Sequence, residues 1–289
     1  MTTTRFTAGE RTVNGYRSTC GDPGLLDDAP DTTTEAYDRE QRRNNVRVAR
    51  EYVAPICRRT GSRRVLDVGC GVGTSVLTLL EEGLDAYGVD LPGLTPYWKR
   101  DGCSPDRFFV VAPVNHELPF EDDSLDLAYT FGVLEHIGTV DGHAIRAHDY
   151  HAQRRQWVRE MYRCIRPGGH LLLGGPNRGF PFDFSHGLDF EASAVERWLS
   201  ARCGFSVHRT WGEYFLWGYS DVARYLDGFD FRMQALSIDG LLEYGRVPSL
   251  ARPIAAAYVR RLPRFLLPTG FNPWVMALVQ KRDRTRGAS

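Results

Sequence analysis

The chain has 289 residues with 36 basic and 36 acidic side chains, so its formal net charge is zero. Apolar residues make up 42% and charged residues 25%, which is the composition of a globular protein. These values exclude an intrinsically disordered chain and a strongly basic nucleic-acid-binding protein.

The sequence also predicts the cellular location of the protein. The longest apolar stretches fall well short of the roughly 20 residues that span a bilayer. Met1–Glu10 is polar and lacks the apolar region of a secretory signal. Six scattered cysteines form no C-x-x-C pair, which favours reduced thiols over disulfides or a zinc cage. We therefore expect a cytoplasmic protein without a transmembrane segment.

Residues 1–62 are predicted to form an arm followed by a helix. The first part is rich in Thr, Gly, Asp and Pro and shows no periodicity. Further on, Val46, Ala49, Val53 and Ile56 recur at the spacing of one helical face. We expect that face to pack on the rest of the protein.

From residue 63 to residue 215, short apolar runs alternate with helical patterns. This alternation is typical of an α/β domain with a mostly parallel sheet. The predicted strands are Val65–Val68, Ala86–Val89, Phe108–Val111, Leu125–Tyr129, Leu171–Leu173 and Phe205–Thr210. The predicted helices are Thr74–Glu82, Thr95–Arg100, Phe131–Ile137, Arg154–Ile165 and Ala192–Ala201, with Pro167-Gly168-Gly169 as a stop signal after the fourth of them.

The C-terminal part is predicted to hold a small insertion. Residues 216–272 contain apolar helical patterns, including Met233–Leu242, that are broken by Gly and Pro. A connection of this length has structure of its own, and we expect a helical cap over the substrate site. Residues 273–289 then supply a seventh strand, Trp274–Gln280, and a tail.

The most informative run is Val65–Ser75, where a buried strand ends in a glycine-rich turn and a helix follows at once. Gly69 and Gly71 allow a ligand to lie directly against the backbone. The turn stands at the carboxyl end of the first strand, which is where doubly wound sheets bind nucleotides.

Two details favour a nucleoside with positive charge over a dinucleotide. The dinucleotide pattern requires a third glycine where Thr74 stands. Asp67, two residues before Gly69, would repel a pyrophosphate but suits a ligand that carries ammonium and sulfonium groups. Asp90, at the end of the second strand, lies where a carboxylate binds both hydroxyls of a ribose.

Four ordered segments between Arg63 and Asn177 carry a family resemblance. They are V-L-D-V-G-C-G-V-G-T, Y-G-V-D, L-P-F-E-D-D-S-L-D-L-A-Y-T-F-G-V-L-E-H-I and R-C-I-R-P-G-G-H-L-L-L. In these segments the chain resembles class I S-adenosylmethionine-dependent methyltransferases, particularly the type 11 group that contains the ubiquinone- and menaquinone-biosynthesis methyltransferases. The resemblance implies a Rossmann-like sheet of seven strands with an antiparallel last strand.

The resemblance also implies where S-adenosyl-L-methionine binds. It assigns Asp67, Gly69 and Gly71 to the methionine part and Asp90 to the ribose. Leu91 packs against the adenine, while the backbone at Thr130 and Phe131 completes the methionine pocket. The family usually has an Asp before L-P-F that binds the adenine amino group. Here Val114 stands in its place, so either Asn115 or the backbone alone makes that contact.

Two histidines are candidate bases for a hydroxyl acceptor. His136 follows the fourth strand and serves either as a base or in helix packing, and its neighbour Glu135 caps or orients that helix. His186 lies in an aromatic loop after the fifth strand, where Asp183 can orient it. The spacing of Asp183, His186 and Asp189 also suits a divalent metal, but loop hydrogen bonding is the preferred interpretation, and no metal site is predicted.

The leading hypothesis is methyl transfer to a small organic acceptor, most simply a hydroxyl of a secondary metabolite or of a glycosylated or isoprenoid compound. A quinone- or lipid-modifying C- or O-methyltransferase is the alternative within this class. Two further classes stay open: an NAD(P)-dependent oxidoreductase and a non-catalytic cofactor-binding module. Zero net charge and Thr130–Val133 after strand four, in place of an N-P-P-Y-type motif, argue against nucleic-acid substrates. A homodimer is one candidate assembly.

Overall fold

The computed structural model describes residues 11–20, 35–112, 117–140, 145–241, 244 and 247–282. Its helices are α1 Glu35–Val48, α2 Ala54–Thr60, α3 Thr74–Glu81, α4 Thr95–Arg100, α5 Tyr150–Cys164, α6 Ala194–Cys203, α7 Tyr219–Tyr225 and α8 Arg252–Arg261, with a π-helical turn at Ala49–Val53 between α1 and α2. Its strands are β1 Arg11–Val13, β2 Tyr16–Ser18, β3 Arg64–Val68, β4 Asp85–Asp90, β5 Phe108–Val110, β6 Leu125–Phe131, β7 Ile165–Pro176, β8 Phe182–Asp183, β9 Ser206–Val207, β10 Phe231–Ala235 and β11 Trp274–Lys281.

The main sheet of the described chain has nine strands in the order β1-β2-β5-β4-β3-β6-β7-β11-β10. Strands β5, β4, β3, β6 and β7 run parallel to one another, whereas β11 is antiparallel to both β7 and β10. The predicted mostly parallel sheet with an antiparallel last strand is therefore confirmed. The hairpin of β1 and β2 adds two strands that the sequence did not predict, and it joins β5 through Ser18 and Val110.

The sheet is buried on both faces, as a doubly wound fold requires. Along β3, Val65 belongs to one core cluster and Leu66 to the other, because successive side chains point to opposite faces. The first cluster includes Val53 of the π-helical turn and Leu79 of α3, and the second includes Trp157 of α5. None of the described helices is both long and apolar enough to cross a membrane.

The sixth strand of the sheet lies elsewhere than predicted. Within the predicted strand Phe205–Thr210, only β9 pairs, and its partner is β8 in a separate two-stranded sheet. Strand β10, Phe231–Ala235, takes the edge position beside β11 instead. Its residues are alternately half-buried and exposed, with Phe231, Met233 and Ala235 packed on the core. The predicted helix Met233–Leu242 is thus wrong, and the segment predicted as a helical cap contains α7, a strand of the core sheet, and α8.

The helix predicted directly after β6 is wrong, whereas the predicted end of the helix before β7 is correct to within one residue. The predicted helix Phe131–Ile137 is a series of turns after β6, because Gly132 has a positive φ of 69° and its N–H donates to the Gly174 carbonyl of β7. Helix α5 ends at Cys164, before Pro167, and β7 starts at once. The Pro-Gly-Gly sequence therefore lies in the strand, where the pairing with β6 shifts register.

Candidate active site

The glycine turn after β3 can be built only with glycines at two positions. Gly69 and Gly71 have φ angles of 90° and 56°. A Cβ atom at Gly69 would collide with the Val133 side chain, and one at Gly71 would collide with Oε1 of Gln41. The Gly69 N–H donates to the Val89 carbonyl of β4 at 2.9 Å. The turn is thus held against β4, and neither of these two glycines places a side chain in it.

Asp90, the last residue of β4, closes the next part of the site. Its two carboxylate oxygens accept hydrogen bonds from the Gly71 N–H at 2.5 Å and the Leu91 N–H at 2.7 Å. Burial raises the pKa of Asp90, and these two hydrogen bonds oppose that rise. Because a carboxylate oxygen accepts more than one hydrogen bond, Asp90 retains capacity for ribose hydroxyls.

Asp67 lies beneath the glycine turn and connects three elements. Its Oδ2 atom accepts hydrogen bonds from the Ser75 hydroxyl at the start of α3 and from the Tyr129 hydroxyl of β6, the latter at 2.8 Å. Burial raises the pKa of Asp67 to about 7, although both hydrogen bonds act in the opposite direction. The carboxylate predicted to attract the cofactor therefore also connects β3 with α3 and β6 beneath the glycine turn.

Trp98 of α4 is a site residue that the sequence analysis missed. Its indole N–H donates to the Gly71 carbonyl at 2.8 Å, and the side chain is completely buried. The ring packs on Phe108 and Tyr16 at centroid distances of 5.3 Å and 5.2 Å. No spacing signal connects a tryptophan of a short helix with a turn so far back along the chain.

Several buried polar atoms around this turn have no hydrogen-bond partner within the described part of the chain. They are Oε1 of Gln41, Oγ1 of Thr74 and Oγ1 of Thr130. Together with the backbone of the glycine turn and two carboxylates, such atoms fit a polar ligand with several hydrogen-bonding groups. Phe131 follows Thr130, and its ring packs on Tyr52 and Tyr129. Leu91 is half-buried beside Asp90, and Asn115 lies outside the described residues.

A second polar group is formed by residues that follow β6 and β7. His186 Nδ1 lies 2.8 Å from Oδ2 of Asp183, and His186 Nε2 lies 3.7 Å from Oε1 of Glu135. The rings of His136 and His186 are 5.4 Å apart. The structure thus brings together all three residues proposed for catalysis, and it adds Glu135, whose side chain is completely buried.

The role first given to Glu135 requires correction. The residues around Glu135 form turns and not a helix that it could cap or orient. Its Oε2 atom accepts a hydrogen bond from the Trp217 indole at 3.3 Å. Asp189 does not join the group. Its carboxylate binds the Arg146 guanidinium and the Phe215 N–H, each at 3.0 Å. The Asp183, His186 and Asp189 pattern is therefore not a chelating set.

The two parts of the site are in contact through the loop after β6. Val133 packs directly on the glycine turn at Gly69, and Glu135 follows two residues later. We call the two parts together the cleft. Its cofactor end is the glycine turn with Asp67 and Asp90, and its acceptor end is the group of Glu135, His136, Asp183 and His186, which can take a proton or bind an oxygen atom.

The strand order, the glycine turn and the carboxylate after β4 define a nucleotide-binding fold of the class I methyltransferase type. Residues 66–173 match the family model described as a methyltransferase domain. This part of the chain is therefore a class I S-adenosylmethionine-dependent methyltransferase domain, and its cofactor is S-adenosyl-L-methionine.

Curated relatives agree with this assignment over part of their length. A probable S-adenosylmethionine-dependent methyltransferase of Mycolicibacterium smegmatis is 26% identical over 54% of this chain and 57% of its own. Demethylmenaquinone methyltransferase of Tropheryma whipplei is 25% identical over 48% of this chain and 49% of its own. Methyltransferase GfsG of Streptomyces halstedii is 28% identical over 73% and 64%. The chain thus spans about half the length of the first two of these relatives.

Proposed function

We propose that this protein transfers a methyl group from S-adenosyl-L-methionine to a hydroxyl of a small organic acceptor, such as a secondary metabolite or a glycosylated or isoprenoid compound. The observation that carries the proposal is the Asp183–His186 pair, 2.8 Å from N to O, beside the loop after β6 that also packs on the glycine turn. A hydroxyl acceptor needs a base, whereas a thiolate or carboxylate does not.

Residues already described would hold the cofactor. Gly69 and Gly71 offer backbone to the methionine part, Asp90 offers its carboxylate to the ribose, and Leu91 offers an apolar side chain to the adenine. Thr130, whose buried hydroxyl has no hydrogen-bond partner within the described part of the chain, would complete the methionine end. When bound, the cofactor supplies a methyl group that its sulfonium has already activated.

His186 would take the proton of the acceptor hydroxyl. The Asp183 carboxylate accepts the Nδ1–H of His186, and this fixes the tautomer in which Nε2 carries the lone pair. A base held in this way accelerates a proton transfer by roughly 10²–10⁴-fold. His136, whose ring lies beside that of His186, is the second candidate for this role.

The surroundings of His186 suit an organic scaffold. Phe180, Phe182 and Phe184 surround the strand that carries Asp183, and the last two pack on Phe205 at 5.9 Å and 4.6 Å. Phe182 remains 42% exposed. Aromatic walls with a few directed polar groups are typical of small-molecule sites. A quinone or lipid acceptor is the alternative, supported by the similarity to demethylmenaquinone methyltransferase and by this exposed aromatic loop.

Location and partners belong to the same proposal. None of the six cysteines, all of which lie among the described residues, forms a disulfide, and five of them are buried, which fits the reducing cytoplasm. We expect no nucleic-acid partner, and a homodimer remains a hypothesis to be checked by size-exclusion chromatography with light scattering.

The test has two parts. Calorimetric titration should show binding of S-adenosyl-L-methionine but not of NAD(P), and S-adenosylhomocysteine should form when hydroxylated acceptors are supplied. His186→Ala should retain cofactor affinity and lower turnover by roughly tenfold or more. Unchanged turnover in that variant would remove His186 from the reaction. Cofactor binding without turnover on soluble or membrane-extracted acceptors would favour a non-catalytic module.

A further inference from the structure

Three side chains at the acceptor end of the cleft form a group with the dimensions of a metal site. Glu135, His136 and His186 each offer one ligand atom, and these atoms all lie within 4.8 Å of one another. Ligands held about 2.1 Å from a tetrahedral ion are roughly 3.4 Å apart. Small side-chain rotations would therefore bring the three atoms onto one ion.

The Glu135 carboxylate gives independent evidence for a ligand. The side chain is completely buried, and its Oε1 atom has no hydrogen-bond partner among the described residues. The nearest cationic candidate, Nε2 of His186, is 3.7 Å away, which is too far for a hydrogen bond. Burying a carboxylate oxygen without compensation is unfavourable, so a positive charge at this point would satisfy it.

Two of the three side chains make a second hydrogen bond through the atom that would not bind the ion, as metal ligands generally do. Asp183 binds Nδ1 of His186 at 2.8 Å and leaves Nε2 directed towards Glu135. The Trp217 indole binds the other Glu135 oxygen at 3.3 Å. A carboxylate behind a histidine fixes its tautomer and raises its basicity as a ligand.

We propose that Glu135, His136 and His186 bind one divalent transition-metal ion, with at least one coordination position left open to the acceptor. Two imidazoles and one carboxylate favour ions such as Zn²⁺ or Mn²⁺ over Mg²⁺, which prefers oxygen ligands. Three protein ligands with an open position are typical of catalytic rather than structural sites. The ligand set differs from the sequence pattern of Asp183, His186 and Asp189, of which only His186 takes part.

The catalytic consequence rests on the proposed function, whereas the binding does not. An acceptor hydroxyl that coordinates the ion becomes more acidic. Its O–H bond breaks, the electron pair stays on oxygen and the proton passes to water, while the ion keeps its oxidation state. In this form of the enzyme, His186 is a ligand and acts on the acceptor through the ion.

Direct binding measurements test the site. Untagged protein, stripped with a chelator and dialysed, is titrated calorimetrically with Zn²⁺, Mn²⁺ and Mg²⁺, and its metal content is measured by mass spectrometry. We expect one Zn²⁺ or Mn²⁺ per chain and weaker binding of Mg²⁺. Glu135→Gln and His136→Ala should each lower the affinity roughly tenfold or more. His148→Ala, which removes an exposed histidine, should leave it unchanged.

Two further measurements keep the outcomes distinct. Co²⁺ substitution should give the visible absorption of a four- or five-coordinate site. His136→Ala should lose this absorption, and that variant tests the site even if Glu135→Gln folds poorly. Absent binding, or binding that falls equally in His148→Ala, would overturn the site. Binding without methyl transfer to any acceptor would refute the proposed function alone. Full turnover in metal-free protein would refute the catalytic consequence and leave His186 as a direct base.

Discussion

The two ends of the cleft are built in different ways. At the cofactor end, Asp67, the glycine turn and Asp90 come from two consecutive strands and the loops that follow them. At the acceptor end, Glu135, His186 and Trp217 come from three separate loops that meet only in the folded chain. A short stretch of sequence thus encodes the first end, whereas tertiary packing creates the second.

The hydrogen bonding of the buried carboxylates differs in the same way. At the cofactor end, the Asp90 oxygens accept from two backbone N–H groups, and Asp67 accepts from two hydroxyls. At the acceptor end, one oxygen of Glu135 has no partner among the described residues. The cofactor end is therefore largely preformed, while the acceptor end contains a charge that a ligand would complete.

The largest effect should come from Gly69→Ala, which tests whether the cofactor end depends on local backbone geometry. The new Cβ would collide with Val133 and displace the turn. We expect cofactor affinity to fall roughly a hundredfold or more, since a displacement of about 1 Å has effects of that size. Isothermal titration calorimetry with S-adenosyl-L-methionine measures it.

Gly83→Ala is the matched control. Gly83 also has a positive φ, 80°, but no atom lies within 4 Å of the position of its Cβ. It should lose about 1 kcal/mol of unfolding free energy and retain cofactor affinity. Equal losses of affinity in the two variants would mean that backbone strain, and not the contact with Val133, decides the result.

A smaller effect, confined to turnover, is expected at the acceptor end for Asp183→Asn. A carboxylate can only accept a hydrogen bond from Nδ1 of His186, whereas an amide can also donate one to it. The proton could then move to Nε2, which would no longer carry the lone pair. Turnover should fall roughly tenfold or more while cofactor affinity stays the same. Asp106→Asn removes the same charge from an 89% exposed side chain and should change neither quantity. Loss of cofactor affinity in Asp183→Asn would show that the two ends are not independent.

The same contrast explains how much the sequence could predict. The structure has strands at Val65–Val68 and Ala86–Val89. Both are short, mostly apolar runs, and each is followed by a residue that favours turns, Gly69 or Asp90. Strand β10 was misassigned although Phe231–Ala235 alternates apolar and polar residues as a strand does, because the predicted helix Met233–Leu242 began inside it. The helix predicted after Thr130 failed because one glycine in a left-handed conformation turns the chain away from β6.

At the site, sequence reasoning identified the glycines and Asp90 because their spacing reflects local geometry. His186 and Asp183 were found because a histidine three residues after a carboxylate can meet it within one loop. Glu135 was named only as a helix-capping or helix-orienting residue, because its contact with Trp217, far along the chain, has no local signal. For Asp189 the preferred interpretation was loop hydrogen bonding, and its carboxylate binds Arg146, a partner that spacing alone could not name.

The pH dependence of cofactor binding should show the charge of Asp67. Its pKa is about 7, since burial and the neighbouring Asp90 raise it more than hydrogen bonds from Ser75 and Tyr129 lower it. The ionised share then rises from about a tenth at pH 6 to about nine-tenths at pH 8. If the ionised form attracts the positive cofactor, affinity should rise about ninefold over that range. Asp67→Asn should flatten the profile, and identical profiles would contradict this role.

The ionisation of Asp67 should also change the free energy of unfolding, which should fall with rising pH while cofactor affinity rises. The folded protein holds the Asp67 proton more tightly than the unfolded chain, whose carboxyl titrates near its ordinary value. The free energy of unfolding should therefore fall as pH rises from about 4 to about 7, and this contribution should be absent in Asp67→Asn. Urea denaturation across this pH range measures both.

Trp98→Phe should give the smallest effect, because it removes one contact from an otherwise intact cofactor end. Phenylalanine retains ring packing on Phe108 but cannot donate to the Gly71 carbonyl. A net hydrogen bond contributes about 1 kcal/mol, so cofactor affinity should fall by up to about fivefold. Trp198→Phe, at a 59% exposed indole, is the control. Equal affinities in the two variants would mean that the glycines and Asp90 fix the turn without Trp98, so that local sequence alone defines this end of the cleft.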